Sequence, residues 1–130
     1  MIVDTSALIA ILKNEPEAQT FADAIESAKV VRVSAATFLE AHIVVRGYNN
    51  PILQARLEEI FENPGVQIEP VTAEQAVTAC EAHRYYGRGS GHRANLNFGD
   101  CFSYALARVK REPILFKGDD FGYTDLRAAV

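Results

Sequence analysis

Cysteine is scarce in this sequence, and long apolar segments are absent. The two cysteines, Cys80 and Cys101, match no zinc-ligand spacing and are too few for the disulfide framework of a small secreted protein. No apolar stretch approaches the about 20 residues of a membrane span, and the N-terminus lacks the basic flank of a signal peptide. We therefore expect a cytoplasmic protein with reduced thiols and no contact with a membrane.

An excess of positive charge is also missing, since 13 Lys and Arg face 17 Asp and Glu, giving a net charge of −4. This balance argues against nonspecific binding of nucleic acid by the whole surface, but it leaves room for a local basic segment. The sequence has no internal repeat, low-complexity tract or linker-like stretch. Its 130 residues can bury an ordinary core, so we predict a single domain over residues 1–130.

Short apolar strands alternate with helices along the chain. The predicted strands are Ile2–Asp4, Val30–Val33, Gln67–Val71 and Pro113–Phe116. The predicted helices are Ser6–Leu12, Glu17–Ala28, Ala35–Arg46, a helix after Asn50-Pro51 with a Leu53–Phe61 stripe, a helix from a Thr72–Gln75 capping box to Tyr86, and Phe98–Val109. This alternation predicts an α/β fold with three layers, in which helices cover both faces of a short, mainly parallel sheet.

Acidic side chains fall where the strands of this sheet would end. Asp4 follows the first strand, Asp119 and Asp120 follow the last, and Asp100 lies in the first turn of the final helix. Ligands of such sheets bind outside the carboxyl ends of the strands. Taken singly, Asp4 and Asp100 could each cap a helix, and Asp119-Asp120 could form a turn.

Glu40 is the acid that is hardest to explain as structural. Its neighbours one helical turn away, Ala36, Ile43 and Val44, are apolar, and an unpaired glutamate on an apolar face is costly. The structural alternative is an ion pair with an unidentified arginine. Crowded carboxylates at one sheet edge repel one another unless a cation lies among them. Because no Cys or His cluster accompanies them, the oxygen ligands favour Mg²⁺, with Mn²⁺ as a substitute.

A basic segment precedes Asp100. No acidic residue lies between Glu81 and Asp100, and the segment carries glycines together with Arg84, Arg88, His92 and Arg93. We expect a mobile cationic loop that contacts the phosphates of a polyanion, with a simple solvated surface as the alternative. The glycine spacing is no dinucleotide fingerprint, because it ends a helix instead of following a strand.

Four segments resemble the PIN-domain ribonucleases and, more narrowly, the VapC toxins of bacterial type II toxin–antitoxin systems. They are IVDTSAL, SAATFLEA, NFGDCFSYALA and LFKGDDF, and they occur in the order of that family over nearly the whole chain. The resemblance implies a Mg²⁺-dependent endoribonuclease that acts on structured RNA such as tRNA in the bacterial cytoplasm. It also implies a homodimer and a cognate VapB antitoxin whose tail covers the acidic site.

Residue by residue, the resemblance assigns metal binding and catalysis to Asp4, Glu40, Asp100 and Asp120. Many PIN domains carry Thr-x-Asp after the last strand, whereas this chain carries FKGDDF, so Asp119 stays as the alternative fourth acid. Thr5 and Ser6 resemble the supporting shell of the acids, and the RNA contacts fall to Arg84, Arg88, His92 and Arg93. The expected chemistry is metal-assisted hydrolysis.

Two other functions are considered. Phosphoryl transfer through a covalent aspartyl phosphate is disfavoured, because Asp4 is followed by Thr5-Ser6 and no second aspartate lies two residues after it. A catalytically silent PIN-like protein that only binds RNA or a partner is the main alternative, against which the intact set of acids argues. The apolar residues at Phe21–Ile25 and Leu53–Phe61 are compatible with a dimer face and with the core.

Overall fold

The computed structural model describes residues 1–130 and contains a four-stranded sheet and six α-helices. The strands are β1 (Ile2–Val3), β2 (Val31–Ser34), β3 (Val66–Glu69) and β4 (Ile114–Leu115). The helices are α1 (Thr5–Leu12), α2 (Ala18–Ser27), α3 (Ala35–Gly47), α4 (Pro51–Glu62), α5 (Ala73–Tyr86) and α6 (Phe98–Lys110), and a 3₁₀ helix (Asp120–Tyr123) follows β4. None of the helices combines the length and apolar character that a membrane span requires.

All strand pairs are parallel, and the sheet order is β3-β2-β1-β4. The predicted α/β class with a mainly parallel sheet is therefore confirmed. The order reverses at β1, which pairs with β2 on one side and with β4 on the other. At such a reversal the loops leave neighbouring strands in opposite directions, which opens a crevice at their carboxyl ends. Asp4 begins the loop after β1, and its backbone N–H donates to Leu115 O at 3.0 Å.

The two faces of the sheet belong to two separate apolar cores. Val3 and Leu115 pack with α1 to α4 in one core, which contains Leu8, Phe21 and Leu57. Ile2 and Ile114 pack with α5 and α6 in the other core, around Leu106 and Tyr104. Because successive residues of a strand point to opposite faces, even two-residue strands contribute to both cores. The three-layer prediction is confirmed by this arrangement.

Several predicted boundaries and faces are wrong. β3 ends at Glu69, because Pro70 has no N–H to pair with a neighbouring strand, and it does not extend to Val71. Thr72 Oγ1 accepts from Gln75 N at 3.2 Å, but the Gln75 side chain donates to Pro70 O, so only half of the predicted capping box forms.

The helices that were considered for a dimer face contribute to the core, and whether they also form a dimer face stays a prediction. Phe21 and Leu57 are buried in the first core. Ile25, Leu53 and Phe61 are partly buried and pack against that core. α6 begins at Phe98 as predicted, but the Phe98 side chain is 79% exposed. Both cysteines are free thiols, as predicted.

Candidate active site

Asp4 lies at the junction of β1 and α1 and is only 4% exposed. Its Oδ2 accepts from Ser6 N at 2.9 Å and from Ser6 Oγ at 2.7 Å, which makes Asp4 the N-cap of α1. Its Oδ1 accepts from Ser103 Oγ in α6 at 2.7 Å. A buried carboxylate needs such donors, because its desolvation is otherwise very unfavourable. The two explanations of Asp4, as a helix cap and as a member of an acidic site, are therefore compatible.

The hydroxyl groups around Asp4 tie four elements together. Ser6 Oγ also accepts from Lys117 N at 3.0 Å, which joins the start of α1 to the segment after β4. Ser103 Oγ lies 3.1 Å from Thr37 Oγ1 of α3, and both side chains are buried. Sequence reasoning missed Ser103 and Thr37. The available signal was a serine within the apolar run around SYALA, a position where a hydroxyl needs a buried partner.

Glu40 lies in the middle of α3 and is half-buried. Thr5 Oγ1 donates a hydrogen bond to Glu40 Oε1. The predicted apolar surroundings are wrong in part, because Ile43 is 54% exposed and Leu39 is exposed as well. No Lys or Arg forms an ion pair with Glu40, so the structural alternative for this residue is absent from the fold. Its carboxylate instead faces α6.

Asp100 is the third residue of α6 and completes a capping box. Its backbone N–H donates to Asn97 Oδ1, and its Oδ2 accepts from Asn97 N, both at 2.9 Å. Burial raises the pKa of Asp100 to about 6, although the hydrogen bond from Asn97 N opposes this change. The negative charges of Asp4, Asp120 and Glu40 contribute to the same rise of the pKa, to a smaller extent than burial. The four acids therefore act on one another electrostatically at one edge of the sheet.

Asp119 and Asp120 both lie at the exposed surface after β4. Asp120 is the first residue of the 3₁₀ helix, and its charge acts on Asp100. Asp119 precedes that helix, and its side chain makes no capping hydrogen bond. The choice of Asp120 as the fourth acid stays a prediction, which its effect on Asp100 supports.

The donor chemistry of this edge fits a hard divalent cation. All four side chains are carboxylates, and burial together with repulsion by the other three raises the pKa of Asp100; a cation would relieve the repulsion. In the structure as it stands, however, no three Asp, Glu, His or Cys side chains are grouped closely enough to bind a metal ion together. The hydroxyls of Thr5, Ser6 and Ser103 donate to carboxylate oxygens of Asp4 and Glu40 and so orient these two acids.

The basic segment between α5 and α6 is a loop that backbone hydrogen bonds and buried side chains hold at its base, and its mobility stays a prediction. Arg88 N donates to Leu96 O at 2.9 Å, and Leu96 N donates to Tyr86 O at 3.0 Å, which closes the loop at its base. Ala94 and Leu96 are fully buried and anchor it to the second core. Gly89 and Gly91 adopt positive φ angles of 87° and 81°, which lets the chain turn tightly between these anchors.

The predicted RNA contacts differ in their surroundings. Arg84, Arg88 and Arg93 are exposed and form no ion pair. The Arg93 guanidinium lies 4.2 Å from the centre of the Tyr123 ring, at the end of the 3₁₀ helix that begins with Asp120. His92 has a structural role, because its Nδ1 accepts from Ala94 N at 3.1 Å.

Comparison with known proteins places this architecture in a family. The family model of the PIN domain matches residues 1–125. Ribonuclease VapC28 of Mycobacterium tuberculosis is 52% identical over 130 residues, which cover 100% of this chain and 98% of the relative. The chain belongs to the VapC family of PIN-domain ribonucleases. Ribonuclease VapC42 of the same species is 46% identical, and the match covers 99% of this chain and 98% of that VapC protein.

Solved structures share the fold at low sequence identity. Mycobacterium tuberculosis VapC20, described as a sarcin–ricin loop cleaving toxin, matches with a TM-score of 0.76 at 22% identity, over 96% of this chain and 95% of that one. VapBC2 from Rickettsia felis, bound to a DNA fragment from its promoter, matches with a TM-score of 0.73 at 12% identity, over 98% and 94% of the two chains. These structures show that the fold is shared, while the PIN-domain match and the identity to the VapC ribonucleases confirm the resemblance to the VapC family.

Proposed function

We propose that this protein is the toxin of a type II toxin–antitoxin system, a Mg²⁺-dependent endoribonuclease that cleaves structured RNA in the bacterial cytoplasm. The observation that carries the proposal is the electrostatic coupling of Asp4, Glu40 and Asp120 to Asp100 at the edge where β1 and β4 end. Membership of the VapC ribonucleases supports the reaction type. It also disfavours the aspartyl phosphate alternative.

In this proposal Asp4 and Asp100 hold the divalent ion most directly, and Glu40 and Asp120 complete the site. When bound, Mg²⁺ or Mn²⁺ polarises the phosphodiester and lowers the pKa of the attacking water. The protein contributes the orientation of its carboxylates: Ser6 and Ser103 fix Asp4, and Thr5 fixes Glu40. Arg88 and Arg93, which have no acidic partner, would bind phosphates of the RNA backbone, together with His92 of the same loop and Arg84 in the last turn of α5.

The RNA substrate has two candidates. Transfer RNA is our first, and ribosomal RNA is the second, because VapC20 is described as cleaving the sarcin–ricin loop. Both present structured single-stranded loops, the regions where proteins reach unpaired bases.

We further propose that a cognate VapB antitoxin inhibits the enzyme by covering the acidic edge, and that the toxin forms a homodimer. VapB-containing complexes share the fold, which supports the kind of partner. Of the apolar residues of α2 and α4 that we considered for the dimer face, Phe21 and Leu57 are buried, whereas Ile25, Leu53 and Phe61 are only partly buried and stay available to a partner. Light scattering of the antitoxin-free protein measures its oligomeric state.

The first test is cleavage of labelled total tRNA and of ribosomal RNA by antitoxin-free protein, with Mg²⁺ and with EDTA. We expect discrete fragments that disappear with EDTA and in Asp4→Asn and Glu40→Gln. Glu58→Gln is the matched control, because Glu58 is an exposed acid on α4 away from the site. Comparison of Asp119→Asn with Asp120→Asn identifies the fourth acid.

The outcomes separate the alternatives. Fragments that persist unchanged in Asp4→Asn would contradict the proposed site. Retention of RNA without fragments under any metal condition would favour the silent, binding-only protein instead.

A further inference from the structure

Gly99 and Glu40 approach each other closely where α6 begins beside α3. A Cβ atom at position 99 would overlap Glu40 Oε2 and would lie 2.9 Å from Cδ and 3.1 Å from Oε1. Observed Cβ atoms essentially never come within 3.0 Å of another heavy atom. Hence any side chain larger than hydrogen at this position would displace the Glu40 carboxylate.

The backbone conformation does not explain this glycine. Gly99 is the second residue of α6, it is not among the residues with positive φ, and alanine favours a helix more than glycine does. Gly47, at the end of α3, differs in that an added Cβ would meet no atom within 4 Å. Gly99 instead leaves space for the Glu40 carboxylate, which a larger residue at this position would occupy.

The Glu40 carboxylate is thus held between two elements. Thr5 Oγ1 of α1 donates to Oε1, while Oε2 lies against the first turn of α6. The N–H groups of a first helical turn have no partner within the helix and carry a partial positive charge, which favours a carboxylate there. Asp100 is the next residue after Gly99, so this contact sets the separation of two of the four acids.

We propose that Gly99 is a positioning residue: the absence of its side chain lets the Glu40 carboxylate lie beside Asp100, where both can serve one divalent cation. The inference rests on the proposed function and adds a residue that touches neither metal nor RNA. It predicts that Gly99→Ala weakens cation binding without weakening the fold, because the end of the Glu40 side chain can rotate away from the new methyl group.

The test is the affinity for Mn²⁺, measured by isothermal titration calorimetry, together with the melting temperature of the metal-free protein. We expect Gly99→Ala to bind Mn²⁺ about 10- to 100-fold more weakly, the range typical of residues that orient metal ligands. The melting temperature should be unchanged or higher. Gly47→Ala is the matched control and should bind Mn²⁺ like the wild type. Wild-type affinity in Gly99→Ala would overturn the inference.

A double-variant cycle tests whether Gly99 acts through Glu40. Once Glu40→Ala has removed the carboxylate, Gly99→Ala should cause no further loss of Mn²⁺ affinity, whereas an additional loss would overturn the inference. We expect the double variant to fold, because Glu40→Ala removes the carboxylate atoms that a methyl group at position 99 would overlap.

Failure of the inference can be distinguished from failure of the proposed function. If Asp4→Asn and Glu40→Gln bind Mn²⁺ like the wild type, the proposed metal site itself is wrong. If these two variants lose affinity and Gly99→Ala does not, only the role of Gly99 is wrong.

Discussion

At the scale of single residues, Asp4 combines burial with a full set of hydrogen bonds. Three donors from Ser6 and Ser103 satisfy its two oxygens, so that it stays oriented although almost no solvent reaches it. A hydrogen bond to a charged group contributes about 1.5–3 kcal/mol, which makes each donor important for the conformation of the site.

Ser103→Ala is expected to destabilise the protein by about 1–3 kcal/mol, because it leaves Asp4 Oδ1 buried without a donor. The free energy of unfolding in urea measures this loss. Ser27→Ala is the control, since Ser27 is exposed and bonds only to backbone oxygens of its own helix. Equal stability of Ser103→Ala and wild type would show that another donor replaces the hydroxyl.

Asp100→Asn is expected to act in the opposite direction on stability. An acid whose pKa is raised in the folded state destabilises that state at neutral pH, because its charged form is less favourable there than in the unfolded chain. Removing the charge should therefore stabilise the metal-free protein by about 1–2 kcal/mol, allowing for partial solvent screening. Calorimetry at pH 7 without metal measures the change. A lower melting temperature than that of the wild type would contradict this account.

The sequence predicted the acids better than their supports. Asp4 and Asp100 could be placed because each follows or begins a recognisable element, and their positions need only local patterns. Ser103 lies 99 residues from Asp4 along the chain, and Thr37 and Gly99 likewise act across elements. Periodicity in one sequence indicates which face of a helix is buried, but it does not indicate which distant atom that face will meet.

At the scale of elements, α6 organises the site. Its first turn carries Gly99 and Asp100, its middle carries Ser103, and Tyr104 donates from the same helix to Asp125 at 2.6 Å. Apolar Cys101, Ala105 and Leu106 of α6 are buried, and these hydroxyls explain why polar residues of the helix are buried beside them. Ser103 and Tyr104 are buried because Asp4 and Asp125 accept hydrogen bonds from their hydroxyl groups, whereas Phe98, at the first position of the helix, is left exposed.

Asn97→Ala is expected to cost about 1 kcal/mol of stability through loss of the N-cap of α6, and also to release Asp100 from its capping box. Asn50→Ala is the matched comparison, because Asn50 caps α4 away from the acids. Both variants should lose similar stability by thermal melting, but only Asn97→Ala should lose RNA cleavage at temperatures well below melting. Equal cleavage by the two variants would show that the Asn97 cap does not contribute to the active site.

At the scale of the whole molecule, a network of ion pairs outside the candidate site links the four strands. Arg32 of β2 pairs with Glu69 of β3 and, through Nε at 2.8 Å, with Glu112 before β4. Glu112 also accepts from the amino group of Met1, which precedes β1. The order of the four strands, which this network spans, could not be read from the sequence, because the strands are too short for their composition to identify neighbours.

Glu112→Gln should destabilise the protein by about 1 kcal/mol at neutral pH. Burial alone would raise the pKa of Glu112, but the hydrogen bonds from Met1 and Arg32 outweigh it, and the pKa is lowered. The stabilisation is therefore complete above the ordinary pKa of a glutamate and disappears as the pH falls through the lowered value.

The measurement for this network is the difference in unfolding free energy between wild type and Glu112→Gln from pH 7 down to pH 3. We expect the difference to shrink towards zero in acid, with exposed Glu58→Gln as a control that shows little difference at any pH. A difference that is constant across this range would contradict the electrostatic origin.

The double role of Asp4 affects how an inactive form of this protein should be made for study. Alanine at position 4 would remove the acid and the cap of α1 together, so that a loss of activity could not be assigned to chemistry alone. Asparagine caps helices about as well as aspartate and can still accept from Ser6. Its amide group can donate to Ser103, because either hydroxyl of the Ser103–Thr37 pair can be the donor. Asp4→Asn is therefore the substitution expected to abolish the proposed chemistry while the cap of α1 is kept.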